Sequence, residues 1–149
     1  MPGALSTRAE FAACYPLRVR WGEVDAQRVV FNAHYLAYAD VALTEYMRSI
    51  ELPYEVQLAQ GFDTMAVRAE LDFAGSAVFD DELELAARVE QLGRTSFRVL
   101  TGIFRGQELL TQLRITYVTI SLHERKPIPM DEGFIRKVLA FERTAPLRK

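Results

Sequence analysis

The first regular element of the chain is marked by an alternation of apolar and polar residues. From residue 15 to residue 21 the apolar side chains recur at every second position, as in a half-buried strand. Residues 33–50 contain neither Gly nor Pro, and their apolar positions cover most of a helical circumference. This second pattern predicts one long helix that is largely buried. Asn32 directly precedes the helix and is a residue type that favours the N-cap.

The second half of the chain is dominated by strand-like segments. They run over residues 65–73, 82–90, 95–105 and 109–122, and Gly93 and Gly106 separate the last three. Short helices are predicted over residues 53–60 and 131–142. The order of one strand, one long helix and four strands predicts an α+β fold in which a five-stranded sheet wraps around one central helix.

Composition limits the number of domains and the classes of partner. The chain has 149 residues, half of them apolar, and we expect one domain over residues 15–142 between flexible ends at residues 1–14 and 143–149. The formal net charge of −2 offers no general attraction to nucleic acid or to an anionic membrane. Any anion that the protein binds must therefore be met by individually placed cations.

The few cysteines and histidines argue against metal chemistry. One Cys cannot form an internal disulfide, and with two His it provides no set of zinc ligands, so we expect no metal and a reducing, cytoplasmic location. The sequence also lacks the apolar run of a signal peptide or a membrane helix. It is therefore expected to be neither exported nor membrane-spanning.

The segment between the first strand and the helix carries the candidate chemistry. It reads WGEVDAQRVVFNAHY over residues 21–35, and a second motif, FDDEL, follows at residues 79–83. Together these motifs resemble the 4-hydroxybenzoyl-CoA thioesterase family, hotdog-fold enzymes that hydrolyse acyl-CoA thioesters. The matching positions of the first motif are Asp25, Val29, Val30, Phe31, Asn32 and Tyr35. The chain departs from the family at Arg28, where the family usually has Gly.

The resemblance implies a hotdog fold with a five-stranded antiparallel sheet and a catalytic carboxylate at Asp25. That carboxylate would act as a nucleophile, giving a mixed anhydride, or as a general base for water, and the sequence does not separate the two roles. The start of a helix offers free backbone N–H groups, so the N–H of Asn32 or of its neighbours is the expected oxyanion donor. The alternative for Asp25 is a turn or cap residue.

Further residues are assigned to substrate binding by the resemblance. Tyr35 belongs to the motif, and Asp40 lies about 12 Å from Asn32 along the helix axis, at the position where hydroxybenzoyl-specific members hold the phenol. Alternatively, Asp40 faces water or pairs with Arg48. The cations expected to meet the phosphates of CoA are Arg94, Arg125 and Lys126, each of which could equally be a solvated surface residue.

Several rival assignments remain. Glu45 is a second helix-borne carboxylate and His34 a second candidate base, but both are expected to be structural or surface residues. The alternatives to an acyl-CoA thioesterase are a hydrolase of acyl-carrier-protein thioesters and a non-catalytic hotdog protein that binds an acyl group. The resemblance implies no organic cofactor, and a homodimer or homotetramer with its sites at the subunit interface, where residues 65–73 of a neighbour close the pocket. The acyl specificity is left open.

Overall fold

A computed structural model describes residues 4–149 of the chain. Two single 3₁₀ turns, Arg8–Glu10 and Trp21–Glu23, precede the main helix. The helices are α1 (His34–Ser49), α2 (Tyr54–Ala59) and α3 (Glu132–Phe141). The strands are β1 (Ala13–Arg18), β2 (Phe62–Phe73), β3 (Glu82–Leu92), β4 (Ser96–Arg105), β5 (Glu108–Ser121) and β6 (Leu147–Arg148).

The strands form one sheet with the order β1-β3-β4-β5-β2, in which all neighbours are antiparallel. The α+β prediction is confirmed, but the sheet has six strands rather than five because β6 adds a short parallel pair to β3. The physical reason is an unpaired stretch of edge. Pairing between β1 and β3 ends at Ala13 and Ala87, so the last residues of β3 have a free edge, and Leu147 pairs there with Gln91.

Helix α1 packs on the inner face of the sheet and supplies much of the core. Its buried residues are Tyr35, Tyr38, Ala39, Ala42, Tyr46 and Met47. The opposite side remains open, with Leu36 and Val41 each about two-fifths exposed. The two short helices predicted over residues 53–60 and 131–142 are present as α2 and α3. The prediction that α1 is buried over most of its circumference is met on one side only, because a single copy of the chain leaves the other side open.

Both terminal segments contact the domain where the sequence predicts flexible ends. The Ser6 hydroxyl donates to Gln112 Oε1 at 2.6 Å, and Phe11 is fully buried against Phe104. At the other end, the Thr144 hydroxyl donates to the carbonyl of Glu10. Residues 1–3 of the predicted N-terminal end lie outside the described residues. Within residues 4–149, every helix is too short or too polar to cross a membrane.

Candidate active site

A short hairpin positions the acidic residue of the main motif. An antiparallel bridge between Val24 and Val30 closes the hairpin, and the Asp25 N–H donates to the Val29 carbonyl at 3.0 Å. Arg28 has φ of 65°, the left-handed conformation that favours Gly, and its N–H donates to the Asp25 carbonyl at 2.9 Å. The replacement of the family Gly by Arg28 therefore leaves a tight turn in place.

The Asp25 carboxylate is half-buried and held on one side only. Its Oδ1 accepts a hydrogen bond from the Gln27 N–H at 2.8 Å. Its second oxygen accepts none from any residue in the described part of the chain, so it is available to a substrate or to a water. An Asx turn of this kind fixes the orientation of the carboxylate.

The start of α1 differs from the prediction. Ala33, with helical φ and ψ, occupies the N-cap position, and Asn32 lies one residue before it in a turn. The His34 N–H donates to the Phe31 carbonyl at 2.9 Å, so the first N–H group of the helix already has a backbone acceptor. The N–H groups of Asn32 and Ala33 donate to no acceptor within residues 4–149. These two groups, rather than those inside the helix, are the free donors.

The free donors follow Asp25 closely along the chain. In the hairpin Asp25 lies opposite Val29, and Asn32 and Ala33 stand three and four residues further along that arm, in the turn before α1. A carboxylate and free backbone N–H groups are the two kinds of group that hydrolysis of a carbonyl compound uses.

Ala77, in the loop before β3, holds the hairpin against α1. Its carbonyl accepts from the Val30 N–H at 2.9 Å, and its own N–H donates to the Tyr35 hydroxyl at 3.1 Å. Tyr35 is 2% exposed and packs edge-on against Phe73. Tyr35 therefore holds the loop of Ala77 in place through its hydroxyl, and its side chain is closed to solvent in a single copy of the chain.

Glu23 is a second anchor, and sequence reasoning missed it. It is buried, its carboxylate accepts from the Arg20 N–H at 2.8 Å and from the Tyr38 hydroxyl at 3.0 Å, and it pairs with the Arg20 guanidinium. Burial alone would raise the pKa of Glu23, but the hydrogen bonds from Arg20 and Tyr38 outweigh it and lower the pKa. The only sign in the sequence is the spacing of three residues between Arg20 and Glu23.

Asp40 lies on the open side of α1. The residue is exposed as a whole, but its carboxyl group is partly buried, and this burial raises the pKa of Asp40. Burial also raises the pKa of Tyr117 on β5, and the negative charge of Asp40 raises it further. Arg48, a suggested partner, pairs instead with Glu45. Asp40 therefore lies near Tyr117 without a cationic partner among the described residues, and Glu45 pairs with Arg48 at the surface.

Arg94, Arg125 and Lys126 lie far from Asp25 within one chain. All three are exposed in turns at the end of the sheet where β2 begins, and Arg125 reaches Met65 at 3.6 Å. The hairpin lies at the other end of β2, where Phe73 packs on Tyr35. The 12 residues of β2 at about 3.3 Å per residue separate the two ends by roughly 36 Å.

A cleft of about 350 Å³ opens beside the hairpin. It is lined by Trp21, Val24, Asp25, Arg28 and Phe79. Trp21 and Phe79 meet edge to face with ring centres 5.2 Å apart, and both are exposed. Within residues 4–149 no group of three or more His, Cys, Asp and Glu side chains is placed to hold a metal ion.

Comparison with known proteins supports the predicted family. The sequence model of the thioesterase-like superfamily matches residues 19–138. The acyl-CoA thioesterase YbgC of Haemophilus influenzae is 28% identical over 119 residues, which cover 76% of this chain and 85% of that protein. The acyl-CoA thioester hydrolase YbgC of Escherichia coli O6:H1 is 23% identical over 122 residues, covering 81% and 91%.

Solved structures of similar shape confirm the hotdog architecture. The 1,4-dihydroxy-2-naphthoyl-CoA thioesterase Slr0204 from Synechocystis superposes with a TM-score of 0.76 at 23% identity, covering 84% of this chain and 93% of that chain. The BH1999 gentisyl-coenzyme A thioesterase superposes with a TM-score of 0.76 at 18% identity, covering 83% and 99%. At these identities the likeness concerns the fold.

Proposed function

The chain belongs to the thioesterase-like superfamily, and we propose that it hydrolyses acyl-CoA thioesters to a free acid and CoA. The observation that carries the proposal is the arrangement on one hairpin. The half-buried carboxylate of Asp25 has one free oxygen, and the free N–H groups of Asn32 and Ala33 follow it on the other arm of the hairpin. The YbgC relatives are named for the same reaction.

The thioester oxygen accepts hydrogen bonds from the N–H groups of Asn32 and Ala33, which stabilise the negative charge of the tetrahedral intermediate. In one route, the free oxygen of Asp25 attacks the thioester carbon, CoA thiolate leaves, and water hydrolyses the anhydride. In the other, Asp25 removes a proton from the attacking water. If water attacks the Asp25 carbonyl of the anhydride, a single turnover in ¹⁸O-labelled water leaves ¹⁸O in the Asp25 carboxyl group and ¹⁶O in the new acid, whereas direct attack of water on the thioester leaves ¹⁸O in the acid and none in Asp25.

Substitution of Asp25 by Asn tests the proposal. The Asn carbonyl still accepts from the Gln27 N–H, so the variant should fold, while thiol release from acyl-CoA should fall by about 10²–10⁴-fold. Glu55→Gln, which alters an exposed carboxylate on α2, is the matched control. Absence of thiol release by the wild type across aliphatic and aromatic acyl-CoAs would refute the function. Undiminished release by Asp25→Asn would remove Asp25 from it.

The acyl group, in this proposal, follows the open side of α1 towards Asp40. Asp40 lies about 12 Å from Asn32 along the helix. A hydroxybenzoyl group spans about 6 Å from its carbonyl carbon to its phenol oxygen, and a hydrogen bond of about 3 Å at each end brings the total to about 12 Å, so the Asp40 carboxylate can accept from the phenol. We expect kcat/KM to be higher for hydroxybenzoyl-CoA than for benzoyl-CoA, and Asp40→Asn to reduce the preference. Equal values for the two esters with the wild type would contradict this role.

The unit of function is proposed to be a homodimer formed through β2. This strand is an edge of the sheet, and Met65 and Val67 on it are 44% and 61% exposed. The open side of α1, with Leu36 and Val41, is the second uncovered apolar surface. Pairing of β2 with the β2 of a second copy would cover an edge that soluble proteins rarely leave free.

The dimer also brings Arg94, Arg125 and Lys126 to the Asp25 end of the partner chain. Two antiparallel β2 strands related by a two-fold axis bring the start of one next to the end of the other. Arg94, Arg125 and Lys126 of one copy then lie at the same end as Asp25 of its partner. The phosphates of CoA are met, in this arrangement, across the interface.

A further inference from the structure

Arg28 is the position at which this chain departs from its family. The backbone there is left-handed, with φ of 65°, a conformation that crowds the Cβ of any residue other than Gly. A residue with a long cationic side chain at such a position points to a function for that side chain. The side chain lines the cleft of about 350 Å³ beside Asp25.

The arginines around Arg28 are already neutralised. The pairs are Arg18 with Asp80, Arg20 with Glu23 and Arg105 with Asp81. The Arg28 guanidinium, by contrast, has no carboxylate partner and donates no hydrogen bond in the part of the chain that the structure describes. Its five N–H donors therefore face the cleft and solvent.

We propose that the cleft of Trp21, Arg28 and Phe79 binds the pantetheine arm of the substrate, with Arg28 donating to its distal amide carbonyl. This inference rests on the proposed thioesterase function, because it assigns the part of the substrate that leaves. The acyl group is assigned to the open side of α1, so the pantetheine arm on the other side of the thioester bond extends in the opposite direction, across this cleft.

The size and length of the arm agree with the cleft. Pantetheine has 18 non-hydrogen atoms, which occupy roughly 300 Å³ at protein-like packing. Its distal amide carbonyl is eight bonds from the sulfur, or about 10 Å when extended. A four-residue turn keeps the Cα atoms of Asp25 and Arg28 within about 7 Å, and the side chain adds about 6 Å, so the guanidinium reaches that carbonyl.

The chemistry of the cleft matches the arm in the same order. The exposed rings of Trp21 and Phe79, in edge-to-face contact, offer an apolar wall to the two methyl groups next to the distal amide. Arg28 has donors only, and the arm presents two carbonyl oxygens and a hydroxyl as acceptors. The phosphate of CoA lies about 16 Å from the sulfur, beyond this cleft, where the partner's cations are proposed to meet it.

Trp21 reports binding directly, because it is the single tryptophan of the chain and lies at the cleft. We expect CoA and pantetheine to shift its fluorescence at similar concentrations, and N-acetylcysteamine, which lacks the distal amide, to need far more. Arg28→Gly, which relieves the backbone, should raise the concentrations of CoA and pantetheine required by about tenfold or more. Arg136→Gln removes one exposed charge on α3 and is the matched control.

The outcomes separate this proposal from the thioesterase function. A response to CoA but not to pantetheine would overturn the assignment, because Arg28 would then bind a phosphate of CoA and not the amide carbonyl of the arm. No response to either ligand would overturn it even if acyl-CoA were hydrolysed. Binding of pantetheine that depends on Arg28, without any thioester hydrolysis, would uphold the subsite and refute the enzyme. In kinetics, kcat/KM of Arg28→Gly should fall more for acyl-pantetheine than for the matching N-acetylcysteamine thioester.

Discussion

The position of the phosphate-binding cations predicts that two defective chains restore an active site when they are paired. One chain carries Asp25→Asn, and the other carries Arg94→Gln, Arg125→Gln and Lys126→Gln. Within a chain, Arg125 reaches Met65 and the hairpin end of β2 is at Phe73, so the two sets of residues are roughly 26 Å apart along β2. If each site takes its carboxylate from one copy and its cations from the other, the mixed dimer contains one intact site and one site with both defects.

The expected magnitude follows from this count of sites. The Asp25→Asn homodimer should retain at most about 1% of wild-type activity. The triple variant should lose about 100-fold or more in kcat/KM, since each charge-assisted contact contributes about 1.5–3 kcal/mol. The mixed dimer should nevertheless show about half of the wild-type kcat/KM per dimer, because one of its two sites is unchanged.

The assay uses two affinity tags, so that mixed dimers are isolated after co-expression and their mass is checked by light scattering. Thiol release at low acyl-CoA concentration gives kcat/KM directly. A mixed dimer no more active than the mean of the two parent variants would refute the shared site, because it would mean that each chain uses its own cations. A monomeric mass for the active wild type would refute the dimer itself.

Two further predictions concern buried hydrogen bonds. Burial raises the pKa of Glu142, which accepts from the Tyr46 hydroxyl, so the folded state binds this proton more tightly than the unfolded state and loses stability as pH rises above about 4.3. Glu142→Gln should therefore gain free energy of unfolding relative to the wild type between pH 4 and 8, as measured by urea denaturation, and a difference that does not change with pH would contradict this. Tyr38→Phe, which removes a buried donor to Glu23, should cost about 1.5–3 kcal/mol of stability, whereas Tyr54→Phe, which removes an exposed donor to Asp63, should cost clearly less in the same assay.

The predictable parts of the fold are the elements whose residues show a local sequence pattern. The alternation over residues 82–90 marks β3 because every second side chain enters the core, and the absence of Gly and Pro over residues 33–50 marks α1. Strand β6 has only two residues and no period, so its pairing depends on where β1 stops. No window of sequence around Leu147 contains that information.

The candidate site was predictable to the same extent. Asp25 and Asn32 stand seven residues apart, so one motif describes both the carboxylate and the first of the free donors. The residues that hold them in place come from elsewhere, because Ala77 meets Val30 and Tyr35 only after β2 has crossed the sheet. The N-cap is Ala33 and not Asn32 for a related reason. The Phe31 carbonyl accepts the first helical N–H, that of His34, and the N–H groups of Asn32 and Ala33 before it stay free.

The net charge of −2 has a consequence for how the site is assembled. Near the hairpin Arg18, Arg20 and Arg105 are paired with carboxylates of the same chain, so their charges are already balanced. Arg28 alone among these four is unpaired in the described chain, and one guanidinium cannot meet both the arm and the phosphates of CoA. The remaining positive charge must be brought to Asp25 from the far end of β2, and a two-fold pairing of that strand brings it there without any change in the fold of either copy.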